Sequence, residues 1–150
     1  MVGYAVRASA HIDAPPERVY AIIADYRVGH PSILPKPFKN FAVEKGGTGA
    51  GTIIRFEVHA FGAVTRYRAI VTEPDPGRVL VETNVEPGNS STTFTVVSGA
   101  NSGADVTFLT EATSRGGIGG VIERFLSKRF LKKLYAEELQ LLAQRASRVR

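Results

Sequence analysis

Three histidines, His11, His30 and His59, carry the side chains of this chain that titrate near neutral pH, so they are where proton transfer is sought first. They sit on separate predicted elements, with no H-E-x-x-H run and no cysteine beside them, and so compose no metal site. His30 lies in residues 27–38, where Gly29, Pro31, Pro35 and Pro37 are interspersed with Ile33, Leu34 and Phe38. A segment that interrupts helix yet stays apolar suits a pocket entrance, and an imidazole there is either a general base or a structural or solvent-facing histidine. His59 is expected on the wet face of a hairpin, opposite Arg66.

Tyr67 is the second candidate. Strand periodicity turns it inward, where its phenol is either a group that meets a ligand carbonyl or a core tyrosine. Thr65, Thr83 and Thr110 are further inward polar candidates, whereas Glu82 and Glu111 are expected to point outward as surface acids. The absence of cysteine excludes disulfides, thiolate metal sites and thiol catalysis. No serine stands in G-x-S-x-G, which removes a hydrolase nucleophile elbow. The run GGTGAG at 46–51 matches G-x-G-x-x-G in no register and is followed by a strand pattern, so a flexible turn accounts for it better than a phosphate cradle. No metal or cofactor is expected.

The elements that must carry these groups follow from periodicity. Tyr4, Val6, Ala8, Ala10 and Ile12 alternate with polar residues as in a half-buried strand. Asp13 can cap a short helix that Pro15 and Pro16 open and Val19, Ile22, Ile23 and Tyr26 continue. Beyond the proline-rich segment, Phe41 and Val43 suggest a short strand. If Gly62 and Ala63 form a two-residue turn, the next two strands pair Phe56 with Ala69, Val58 with Tyr67, Glu57 with Arg68 and His59 with Arg66. Turn signals at 73–78, 87–90 and 98–103 separate three more strands, which completes an antiparallel meander.

After RGGIGG at 115–120 comes a stretch, 118–146, without a helix breaker beyond Gly120, about 40 Å long as a helix. Its apolar residues form two arcs about half a turn apart: Ile118, Val121, Ile122, Phe125 and Leu126, then Phe130, Leu131, Leu134, Tyr135, Leu139, Leu141 and Leu142. Either this is an ordinary amphipathic helix with fraying ends, or it kinks or restarts near 127–129, or its halves face different partners, the first capping a pocket and the second packing on the sheet. Phe56, Val58, Phe94, Phe108, Val121, Phe125 and Leu126 would then supply apolar walls, unless a filled core uses them instead.

With 150 residues, 43% of them hydrophobic and 22% charged, the chain is expected to form one globular domain. The N-terminus lacks the pattern of a secretory signal and no window approaches 18 consecutive apolar residues, so a cytoplasmic location is expected. The net charge of +5 is concentrated late in the chain, at Arg124, Lys128, Arg129, Lys132, Lys133, Arg145, Arg148 and Arg150. These form a solvated helix face or a patch for an anionic membrane surface; nucleic acid is not expected.

The stretches HIDAPPERVYAIIADY, GHPSILPKPF, GGTGAGTIIRF, VTEPDPGRVLVET and GGVIERFLSKRFLKKLYAEELQLLA together resemble the START-like superfamily, also called SRPBCC. The likeness is to its bacterial polyketide cyclase/dehydrase-like members. It implies an α+β helix-grip fold, with a curved antiparallel sheet of seven strands around a long C-terminal helix and short helices after strand 1. It also implies a cavity between sheet and helix for a lipid, a polyketide or another apolar small molecule. Walls without an evident acid, base or nucleophile favour binding or carriage over catalysis; a cyclase or dehydratase would require a polar pair deep inside.

Overall fold

The computed structural model describes residues 1–148. Strand β1 (Val2–Ile12) leads into two short helices, α1 (Pro16–Ala24) and α2 (Gly29–Ser32). Six strands follow: β2 (Phe38–Lys45), β3 (Ile53–Ala60), β4 (Ala63–Asp75), β5 (Val79–Glu86), β6 (Ser90–Ser98) and β7 (Ala104–Ser114). Helix α3 (Gly117–Arg148) closes the chain. The sheet has seven strands in the order β1-β7-β6-β5-β4-β3-β2, each antiparallel to its neighbours. This is the α+β helix-grip arrangement that the resemblance implies.

Pro16 begins α1, where its missing N–H costs nothing, but Asp13 does not cap it: Pro15 occupies that position, and Asp13 Oδ1 lies 3.1 Å from His11 Nε2. The glycine run at 46–51 is an ordered turn rather than a loose one. Gly46, Gly47, Gly49 and Gly51 hold positive φ, and the turn is bonded to the end of α1 through Tyr26 N to Gly47 O (2.8 Å) and Gly49 N to Ala24 O (2.9 Å).

The β3–β4 register differs from expectation in its turn. Phe61 and Gly62, with φ of 54° and 73°, make the two-residue loop, so Phe56 pairs with Tyr67, Val58 with Thr65, Glu57 with Arg66 and His59 with Val64. Two consecutive positive φ values give a turn whose twist matches the flanking strands, and this outweighs the strain of placing an aromatic residue there. The pairing moves by two residues, an even number, so every side chain keeps its expected face.

Helix α3 runs unbroken through residues 127–129. Its C-terminal half packs over β1, β7 and α1, burying Leu134, Tyr135, Leu139, Leu142 and Ala146. All of these but Leu134 join Ile12, Val19, Ile23, Leu80, Val96, Val106 and Phe108 in the core. That half sets the rotation of the whole rod, and its phase carries into the first half: Ile118, Val121, Ile122, Phe125 and Leu126 face solvent.

Candidate functional site

Where the sheet curls away from the first half of α3, a cavity of about 500 Å³ remains. Phe56, Val58 and Phe94, three of the expected wall residues, line it together with Tyr4, Leu34, Phe41 and Ile54. Tyr67 also lines it, stacked on Phe56 with ring centroids 5.2 Å apart. Burial, with a lesser contribution from Tyr4, raises the pKa of its hydroxyl. Phe108 lies behind the wall, fully buried and edge-on to both Phe94 and Tyr135.

Val121, Phe125 and Leu126 are not walls: they are 57%, 59% and 42% exposed on the far side of α3. At about 100° per residue, anchoring the second arc turns Glu123, Ser127, Phe130, Leu131, Leu134 and Glu138 toward the cavity in their place. Exposed Phe61, Ala63 and Glu123 all line the cavity, so its mouth lies between the β3–β4 hairpin and α3.

The inner end is polar, and His30 belongs to it rather than to the entrance. The imidazole is 3% exposed and stacked on Tyr26 at 4.5 Å. Its placement is built locally. The Asp25 carboxylate accepts the backbone N–H groups of Arg27, Val28 and Gly29, and His30 N donates to Asp25 O at 2.7 Å. Gly29 permits the close approach, since a Cβ there would stand 2.6 Å from Ile22 O. His30 Nδ1 donates to Ile23 O at 2.7 Å, which leaves Nε2 facing Glu82 Oε2 at 3.4 Å.

Glu82 corrects the expectation of a surface acid; it is 8% exposed and lines the cavity, while Glu111 is exposed as expected. The Tyr26 hydroxyl donates to Glu82 Oε2 at 2.7 Å. Burial, then the Glu82 charge, pushes the Tyr26 hydroxyl far above its ordinary range. Across the floor Glu138, 2% exposed, also lines the cavity. Burial and then the neighbouring Glu82 raise its pKa well above that of an ordinary glutamate, which favours the neutral acid.

Tyr135, Thr110 and Thr92 complete the floor as a hydroxyl chain, Thr92 Oγ1 standing 2.8 Å from Thr110 Oγ1 and Tyr135 bonded to Thr110. Of the other threonines, Thr65 lines the cavity and Thr83 is on the outer face. Asn84 Nδ2 donates to Ser90 Oγ at 2.7 Å, while its buried Oδ1 has no protein partner. His59 is on the wet face as expected, held by Glu57 at 3.0 Å.

Strand β5 shows why Glu82 and Asn84 escape sequence reasoning. Val79, Val81 and Val85 would ordinarily mark the buried face, yet Val85 is 43% exposed and Leu80, Glu82 and Asn84 point inward. The available signal was the paired strands: Thr92 opposes Glu82, and Thr110 opposes Thr92, which makes one polar stripe across an otherwise apolar face.

A helix-grip sheet with an apolar cavity and a polar inner end defines a small-molecule-binding fold. By sequence the chain belongs to the polyketide cyclase/dehydrase and lipid transport family, which it matches over residues 4–147. No curated protein matches it. Among solved structures, the KanY protein is 26% identical, with 98% of this chain and 99% of that one covered and a TM-score of 0.85. The ZhuI aromatase/cyclase from Streptomyces sp. R1128 is 17% identical over 98% and 95% of the two chains, with a TM-score of 0.82. Norcoclaurine synthase from Thalictrum flavum, solved with dopamine and hydroxybenzaldehyde, is 15% identical over 99% and 89%, with a TM-score of 0.74. The last two likenesses concern the fold.

Proposed function

We propose that this protein binds, and carries, an apolar small molecule of the lipid or polyketide kind, its polar end at the floor formed by His30, Glu82 and Glu138. The observation that carries this reading is the cavity of about 500 Å³, walled by Phe56, Val58, Phe94 and Tyr67 and open at one end. Such a volume fits the range of small-molecule sites, and its few polar groups converge at one end as orienting groups do. Native mass spectrometry of the protein from its host should find a retained apolar molecule. Val58→Arg, which places a charge in the wall, should abolish that retention and the uptake of a fluorescent fatty acid. Unchanged uptake in a folded Val58→Arg protein would sink the proposal.

Glu138 beside Glu82 favours a second reading, a cyclase or dehydratase working without metal or cofactor. A carboxyl group kept neutral by burial beside a second carboxyl group is a recurring acid–base device. On a β-dicarbonyl substrate Glu82 would take the α-proton while Glu138 gives its proton to the carbonyl oxygen, which yields the enol with no net change in protons. Turnover of a poly-β-ketone, lost in Glu138→Gln with binding retained, would support this reading; binding without turnover in the native protein would leave carriage alone.

A further inference from the structure

The first half of α3 presents solvent with an apolar stripe that the cavity does not use. Ile118 is 83% exposed, Val121, Ile122 and Phe125 are each more than half exposed, and Leu126 is 42% exposed. At about 100° per residue, exposed Arg129, Lys132 and Lys133 continue this same outward side for the next turn and a half, opposite Ser127, Leu134 and Glu138. None of these three, nor the adjoining Lys128, is ion-paired among the described residues. Between Gly117 and Glu137 the acids are Glu123, which is paired with Arg115, and Glu137, against Arg124 and those four. The face therefore runs from apolar tip to basic shoulder. At the cavity mouth beside it, Phe61 is 69% exposed and packs on Phe130 at 5.6 Å.

We infer that this face docks on an anionic lipid bilayer, with Val121, Ile122, Phe125 and Leu126 entering the headgroup–acyl boundary and Arg129, Lys132 and Lys133 held at the lipid phosphates. An apolar stripe with basic residues on the same helix is the composition that lies in a bilayer interface. No helix among the described residues is long and apolar enough to cross a membrane, which fits docking rather than spanning. Charge complementarity selects the occupant: a second copy would set like charge against like, and a nucleic acid would leave the apolar residues without partners. The mouth then opens beside the bilayer, a short path for apolar cargo. Docking itself does not depend on the cavity reading.

The full chain should sediment with vesicles of equimolar phosphatidylcholine and phosphatidylserine, and far less with phosphatidylcholine alone. Raising salt from about 0.1 to about 1 M should release it. Arg129→Gln, Lys132→Gln and Lys133→Gln together should weaken partition on the order of 100-fold, and Val121→Ser with Phe125→Ser should reduce it as well. All five positions are exposed, so these variants should fold; Val58→Arg should lose cargo yet keep vesicle binding, which separates the two proposals. Absence of sedimentation, or binding indifferent to both sets of changes, would overturn the inference. So would a dimer in solution that Phe125→Ser dissolves, which would assign the stripe to a second copy. Binding to nucleic acid that needs the basic trio, without vesicle binding, would overturn it too.

Discussion

Replacing Glu138 by Gln removes one titrating group from the cavity floor while keeping its size and its capacity to donate a hydrogen bond. In the folded protein the Glu138 carboxyl is buried and faces Glu82, Tyr26 and Tyr135, and its pKa stands well above the ordinary value of 4.5. The unfolded chain releases that proton near 4.5, so above this pH the folded state binds one proton more than the unfolded one. Stability from this group is complete below the ordinary value and falls as pH rises toward the folded value, by about 1.4 kcal/mol per pH unit. Between about pH 5 and about pH 6, Glu138→Gln should therefore gain about 1.4 kcal/mol relative to the native protein. At a urea m-value of about 2 kcal/mol/M, that is a relative midpoint shift of about 0.7 M. Urea unfolding of both proteins at a series of pH values measures it. Parallel stability curves for the two proteins would refute the claim that Glu138 is held as the neutral acid.

Phe108→Ala removes a fully buried ring set edge-on between Phe94 and Tyr135 and should cost about 3–5 kcal/mol in urea unfolding; a cost under about 1 kcal/mol would mean that the ring borders empty space. Gly29→Ala forces a methyl group to within 2.6 Å of Ile22 O. It should lower the melting temperature and shift the imidazole NMR signals of His30, and unchanged signals would show that Asp25 and Gly29 do not set the imidazole's position.

Much of this molecule was legible from residue order. Alternation over Tyr4–Val6–Ala8–Ala10–Ile12, the Pro15–Pro16 helix start and the turn signals between later strands depend on local backbone preference and on a period of two or 3.6. They led to the element order found. Phe56, Val58 and Tyr67 fall on the cavity face in the expected pairing and in the observed one alike, because the two differ by an even slip, which leaves the face unchanged. What local pattern leaves open is phase between distant elements. The rotation of α3 was decided where Leu134, Tyr135, Leu139 and Leu142 meet β1, β7 and α1, and a rigid helix carried that choice to residues 118–126, turning Phe125 outward and Glu138 inward. Likewise Glu82 is an unremarkable acid in its own strand. Only the sheet, by setting it beside Thr92 and beneath Tyr26, His30 and Glu138, makes it part of a floor, because hydrogen bonds and desolvation arise from neighbours far apart in sequence.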